Sequence, residues 1–400
     1  MPMKAKGLYF YGYAEACMPL RNTGVEQKVA GQIKALCQGG LSCRQIKYEG
    51  RVKPSVIRKV AMRLPFRGPM CDWLSDYRPE FDGYDFYYIR RPHFLSLRHL
   101  LAIRRMRRRN PDAVVLYELW TYPIKKELTR RWQDYPLWWK EAFYMPLMKR
   151  YIDRFVVVGD FTKISGVPAI PMRNGIDMSL IAPCEGRIPD DGTIHIAAVA
   201  KLSVWHGYDR FIRGLHEYYR TGGKRKIVVH IVGDGYCRQA LEEMRLRLGL
   251  EENVVMHGYE TGSELDAVYE RCRLGLISLA TQDKDIYVHS TLKSREYLAK
   301  GLPTIATGIT DVFVGTAYKY NLELPMDEEI TDIRRVVDFH DEIYGSRPRT
   351  QVIAEIRAFA ERNIAVEITM EPIISYITET IRSRRKADTG NKENVWRQEE

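Results

Sequence analysis

The stretch Ser290–Pro303, STLKSREYLAKGLP, together with the runs on either side of it, narrows the folds open to this chain more than any other feature. Leu274 to Leu279 reads as a strand, and Thr304-Ile305-Ala306 begins another short β-prone run. Between them, Ser290 or Thr291 can accept from the exposed N–H groups of a helix start. Tyr297, Leu298 and Leu302 supply apolar contacts, and Gly301-Leu302-Pro303 ends the helix. Strand, capped helix and strand at this spacing suit a parallel sheet, with the helix starting at its carboxyl edge. Such a start turns oriented N–H donors and a positive dipole end toward a phosphate. Glu296, a turn and a half further in, can take the hydroxyls of a ribose. It reads equally as a solvated carboxylate on an ordinary amphipathic helix.

The same alternation begins the chain. Leu8 to Tyr13 is β-type, and from Val25 apolar residues recur at Val25, Val29, Ile33 and Leu36, with Gly39-Gly40 as a stop. Cys43 to Tyr48 follows as a second strand, an order that opens a doubly wound α/β domain. Phe86–Ile89 and Ala113–Leu119 are further strands. The helix between them, His93 to Arg109, ends in RRMRRR, where cations also favour a helix C-terminus. Pro136 to Tyr151 is a helix dense in aromatics (Trp138, Trp139, Phe143, Tyr144), for which core packing is the expected reason. A strand at Arg154–Val158 precedes Asn174-Gly175-Ile176-Asp177, whose Asn-Gly supplies a tight turn.

Pro183, Gly186, Pro189 and Gly192 then predict a linker over 173–192, separating a domain at 1–172 from one at 193–365. In the second domain the strand Ile194–Ala200 leads to Lys201 and, five residues on, His206 before Gly207. Lys226–Val232 leads to Gly233-Asp234-Gly235, and Val254–Met256 to His257-Gly258-Tyr259. Helical patterns recur near 328–338, 350–363 and 367–382, and the charged stretch 383–400 lacks an apolar face and predicts disorder.

Four hundred residues exceed one ordinary core, and 45% apolar with 28% charged residues suits a soluble α/β protein. No apolar run approaches the roughly 18 residues of a membrane span. Seven scattered cysteines without a C-x-x-C pair predict reduced thiols in the cytoplasm and argue against a structural zinc site. The net charge of +11 is uneven: residues 1–180 hold 32 Lys and Arg against 16 Asp and Glu, residues 181–400 hold 30 against 35. A basic front half leaves nucleic acid and an anionic membrane surface open. Residues 51–74, which interleave Arg51, Lys53, Arg58, Lys59, Arg63 and Arg67 with apolar side chains, suit either an interfacial segment or a solvated cover on the sheet.

The order Asn-Gly-Ile-Asp, Lys-x4-His-Gly, Gly-Asp-Gly, His-Gly-Tyr and Glu-Tyr-Leu-Ala-Lys-Gly-Leu-Pro, over about residues 170–306, resembles the retaining glycosyltransferases of family 4 in bacterial polysaccharide assembly. The resemblance implies a GT-B architecture, two Rossmann-like doubly wound domains facing a central cleft, with a helix at 366–382 crossing back to the first domain. It implies transfer of a hexose, with retention, from a nucleotide-sugar to a saccharide or lipid-linked saccharide acceptor. Lys201 and His206 stand where the family places two cations for the departing diphosphate, although arginine then lysine is the commoner pair.

The family's donor site corresponds to Gly24 in the first loop, Gly233 and Gly235 in the glycine turn beneath a helix, Tyr259 at the base-binding edge, and His289, Ser290, Thr291, Leu292 and Glu296 at the helix. Glu118, Thr121 and Tyr122 fall at an edge that touches donor sugar or acceptor in related enzymes, with Glu118 as a catalytic candidate or a paired structural acid. The family's first glutamate, eight positions before Glu296, is Val288 here; His289 and Ser290 offer hydrogen-bond partners in its place. Such enzymes usually need no metal or other cofactor. The implied setting is the cytoplasm, with peripheral contact to an anionic inner membrane face through the basic half and no nucleic acid partner.

Two other classes make different demands. A dinucleotide-dependent oxidoreductase wants G-x-G-x-x-G between strand and helix, whereas Gly233-Asp234-Gly235 continues as Tyr-Cys-Arg. A non-catalytic basic binding protein predicts steeply salt-dependent nucleic-acid binding.

Overall fold

The computed structural model describes residues 4–13, 24–49, 60–64, 66, 78–92, 94–129, 131–280, 288–326 and 329–396. The chain divides into two compact units, Met1–Met172 with Val366–Glu400, and Arg173–Ala365. Among the described residues, no helix is long and apolar enough to cross a membrane.

Unit 1 is built on the strands β1 (Lys6–Tyr13), β2 (Ser42–Glu49), β3 (Phe86–Arg90), β4 (Val114–Leu119), β5 (Arg154–Val158), β6 (Lys163–Ile164) and β7 (Val167–Met172), in the order β2-β1-β3-β4-β5-β7-β6. All pair in parallel except β6 with β7. β3 and β4 are buried along their whole length, as strands covered on both faces must be. Helix α1 (Gly24–Gln38) lies against one face, and α2 (Leu97–Arg109) and α3 (Tyr135–Tyr144) complete the helical layers. Ser96 caps α2 by accepting from His99 N–H. The C-terminal helix (Val366–Trp396) packs Val366, Met370, Ile373, Ile377 and Ile381 beside Val29 and Leu36 of α1, an i, i+4 stripe that closes the core on this face. It remains helical through Trp396, across the charged residues that predict disorder from 383 onward.

Unit 2 carries β8 (Ile194–Val199), α4 (Tyr208–Arg220), β9 (Ile227–Val232), α5 (Arg238–Arg247), β10 (Val254–Gly258), α6 (Ser263–Arg271), β11 (Leu274–Leu276), β12 (Val288–His289), α7 (Leu292–Lys300), β13 (Thr304–Thr307), β14 (Ile309–Thr310), β15 (Asn321–Leu324), α8 (Ile333–Tyr344) and α9 (Arg349–Asn363). Its main sheet runs β10-β9-β8-β11-β13-β15, all parallel, and β12 pairs separately with β14. Tyr208, Phe211, Ile212, Leu215 and Tyr218 turn inward from α4 at helical spacing. Across three neighbouring strands His195, His230 and His257 form a row, ring nitrogen to ring nitrogen at 2.9 Å in both links. Asp191 lies 3.4 Å from the far nitrogen of His195, which favours that nitrogen as a donor and orients the whole row toward the carboxylate.

Two expectations are corrected here. The stretch 173–192, rich in proline and glycine, is fastened to unit 2 rather than free as a linker. Cys184 N–H donates to Lys300 O, and Arg357 donates to the carbonyls of Met178 and Ile181. Core packing accounts for only part of the aromatics of α3: Tyr144 is buried and Trp138 packs against the Phe94 and Leu137 cluster, while Tyr135, Trp139 and Phe143 are exposed. Asn22 and Thr23 of the first loop, and most of 51–74, lie outside the described residues.

Candidate functional site

In unit 2 the chain runs from β8 outward to β9 and β10, then returns to place β11 on the other side of β8. The two strands leading to opposite halves of the sheet are therefore neighbours. The loops after their carboxyl ends flank this reversal, the usual ligand position in a doubly wound sheet. Tyr297 of α7 stitches the place where β8 and β11 part. Its hydroxyl accepts from Val199 N–H at 2.9 Å and donates to Leu276 O at 3.2 Å, satisfying groups the ladder leaves over. Beyond the strands, Leu279 N–H donates to His206 O, and Gly207 (φ +63°) passes so close that a Cβ would stand 2.9 Å from Leu279.

Three polar side chains meet there. His206 Nδ1 is 3.1 Å from Ser278 Oγ and 2.8 Å from Lys293 Nζ, and Lys293 also donates to Ile277 O. Lys293 sits in the first turn of α7, and burial holds its ammonium well below the usual lysine range. The ammonium has donors alone, so when Lys293 is charged Nδ1 accepts and the imidazole proton sits on Nε2. Sequence reasoning missed Lys293 and Ser278. The signal available was a lysine in the first turn of a helix, where the dipole disfavours a cation.

The start of α7 is held rigidly. Thr291 caps it by accepting from Ser294 N–H. Ser290 Oγ accepts from Asn174 N–H and from Arg295, whose guanidinium also makes two bonds to Asp311 (2.6 and 2.8 Å) and one to Asn174 O. The Asn-Gly-Ile-Asp element thus clamps the loop in front of α7. The hydroxyl of Ser290 serves this clamp and that of Thr291 the helix cap, so what they bring to a ligand is the position of the helix start. Leu292 is the first residue of α7, and His289 lies in β12 beside Thr310. Glu296 is half-buried one turn along. Burial raises its pKa, and Tyr269 and Lys300 beside it work against that rise.

The remaining candidates divide by unit. Lys201 is exposed at the end of β8, and Tyr259 is exposed just past β10. Gly233 and Gly235 act by close approach: a Cβ would stand 1.9 Å from Ala200 O at the first and 2.2 Å from Leu202 O at the second. They let the loop after β9 zip onto the loop after β8, with Ala200 N–H to Val232 O and Leu202 N–H to Asp234 O. In unit 1, Gly24 begins α1, and Thr121 and Tyr122 follow β4, Tyr122 resting edge-on against Phe161 at 4.9 Å.

Glu118 is corrected from a catalytic candidate to a structural acid. It is wholly buried, with Lys28 (3.0 Å) and Arg90 (2.8 Å) on one oxygen and Tyr88 (2.8 Å), Tyr9 and Gln32 (3.3 Å each) on the other. Burial alone would raise its pKa, but Lys28 and Arg90 hold it down to about 2. A carboxylate so enclosed touches no substrate.

Solved structures share this fold across nearly the whole chain. Sucrose-phosphate synthase from Thermosynechococcus elongatus matches with a TM-score of 0.64 at 13% identity, covering 96% of this chain and 100% of that one. A glycosyltransferase from Rickettsia africae matches at 0.62 and 13% identity, covering 94% and 99%. HepE of Anabaena, in complex with UDP-glucose, matches at 0.57 and 14% identity, covering 94% and 99%. The expected pair of Rossmann-like α/β domains, as in GT-B glycosyltransferases, is met. No curated protein matches by sequence. Within unit 2, residues 193–317 match the family model described as glycosyl transferases group 1.

Proposed function

We propose that the protein is a glycosyltransferase that moves a hexose, with retention, from a nucleoside-diphosphate sugar to a saccharide or lipid-linked saccharide acceptor. It works in the cytoplasm, in peripheral contact with an anionic membrane. The observation that carries this reading is the strand reversal of unit 2. There the Lys293–His206 pair joins the loop after β8, which carries Lys201, to the start of α7, within the segment that matches the glycosyl transferases group 1 model. Cationic side chains and a helix N-terminus are what a departing diphosphate needs, since its negative charge grows as the sugar bond breaks. In this reading Lys201 and His206 take the diphosphate without a metal ion, Lys293 sets the protonation of His206, and Glu296 binds the ribose. Thr121 and Tyr122 belong to the acceptor side. The UDP-glucose held by HepE makes uridine the first base to try.

A thermal-shift panel with UDP, GDP, ADP, TDP and NAD, repeated on Glu296→Ala, tests the reading. A ligand at one hundred times its Kd adds about 2.7 kcal/mol, enough to move a melting midpoint by degrees. The expected result is stabilisation by one nucleoside diphosphate that the variant loses. Stabilisation by NAD alone, or by none of the five, contradicts it.

A further inference from the structure

A cavity of about 440 Å³ opens in unit 2 between α4 and α5, near the starts of both helices. Its volume falls within the range of small-molecule sites, and the proposed reaction gives it no part. The side chains explain the gap. Asp209 and Arg213, one turn apart on α4, bond to each other at 2.5 Å instead of reaching across to α5. On α5 the residue facing the gap at the helix start is Ala240, too small to fill it, with Met244 one turn on. Tyr208 and Leu241, both buried, give the cavity its apolar side.

One polar group in this lining is left unsatisfied. Arg213 gives Nη2 to Asp209, but its Nε is buried and meets no acceptor. A buried donor without a partner is unfavourable, and on a charged guanidinium the group that satisfies it best is an anionic oxygen. Arg210, the other arginine of the lining, is already engaged, donating to Leu279 O at 3.1 Å. Asp209 and Glu329 match the two arginines in charge, so the lining calls for one acceptor and not for a polyanion such as a diphosphate. An apolar wall with a single open donor selects an apolar body with one charged end.

We propose that the α4–α5 cavity is a second binding site, for a small amphipathic monoanion. Its charged oxygen accepts from Arg213 Nε, and its apolar body lies on Tyr208, Leu241 and Met244. Tyr208 separates this cavity from the Lys293–His206 pair, stacking on His206 (ring centroids 5.6 Å apart) and standing 3.5 Å from Lys293 Nζ. The site rests on the cavity and its open donor, and needs nothing from the proposed reaction.

The probe is anilinonaphthalene sulfonate, an aromatic body with one anionic group, and the control is phenylnaphthylamine, which lacks the sulfonate. Fluorescence titration of the full chain, with hydrogen–deuterium exchange to locate the bound probe, tests the proposal. The expected result is saturable binding that slows exchange at 208–213 and 238–244, about tenfold tighter for the sulfonate than for the uncharged control. Arg213→Met should erase that preference. Ala240→Trp, which fills the gap from an exposed position, should abolish the slowed exchange at both helices while melting as wild type does. No binding, slowed exchange only elsewhere, equal affinity for the two probes, or protection that survives Ala240→Trp overturns the proposal. Competitive displacement of the probe by UDP also overturns it, since the cavity would then be part of the nucleotide site. A chain that binds the probe here and no nucleotide at all keeps this site and loses the proposed reaction.

Discussion

Lys293, half-buried, and Glu118, fully buried, are both ionisable, and they act in opposite ways. Among the described residues Lys293 is bonded to His206, Tyr208 and the carbonyl of Ile277 and to no acid, so burial disfavours its charge and an arriving anion would favour it. Lys293→Met should shift stability by only about 1 kcal/mol, because a costly buried amine is removed along with its hydrogen bonds. Calorimetric titration should show nucleoside diphosphate affinity falling about tenfold; unchanged affinity would remove Lys293 from the site. Glu118 neutralises Lys28 and Arg90. Glu118→Gln leaves two cations facing a neutral group and should cost about 3–5 kcal/mol, seen as a lower urea midpoint, with nucleotide affinity retained in the folded fraction. A fully stable variant would contradict the structural role. The two cases also mark what was legible. A strand-end acid at a carboxyl edge reads alike in sequence whether it lines a crevice or is enclosed. What encloses Glu118 comes from Lys28 and Gln32, 90 and 86 residues away in the chain.

At the scale of elements, periodicity and caps carry the secondary structure. The Thr291 cap, the Gly301 stop and the strands on either side of α7 follow from the residues as read. The facing of α3 does not, because Lys140 and Glu141 turn inward, and Trp139 and Phe143 outward, only where partners such as Arg91 and Met62 O draw the charges in. The histidine row on β8, β9 and β10 likewise emerges from strand order. Burial, with the neighbouring histidines, pushes His230 down to about 3, and His195 and His257 are shifted the same way. A histidine kept neutral in the fold charges freely once unfolded. The unfolded chain therefore binds more protons as pH falls below about 6.5, and stability drops from there toward pH 3. Each such group contributes a slope of about 1.4 kcal/mol per pH unit, whereas the loss from Glu118 begins only below about 4.5. Urea unfolding followed by hydrogen exchange on β8–β10 should show declining protection between pH 7 and 5, reduced in His230→Asn; a flat profile would contradict the assignment.

For the whole molecule, the repeated strand–helix order made both α/β units legible. The return of the C-terminal helix to unit 1 rests on a stripe of isoleucines that the sequence also displays. The charge asymmetry survives the division, with unit 1 carrying the positive excess and unit 2, with 25 Lys and Arg against 29 Asp and Glu, slightly acidic. The proposed function puts a diphosphate on an acidic unit, which calls for local design, the part proposed for Lys201, the Lys293–His206 pair and the start of α7. Hydrogen–deuterium exchange on the full chain, with and without UDP and with NAD as control, tests that assignment most directly. The account predicts that UDP slows exchange at 200–207, 277–280 and 288–296 in unit 2, and that NAD does not. Protection confined to unit 1, or none with any nucleoside diphosphate, would contradict it.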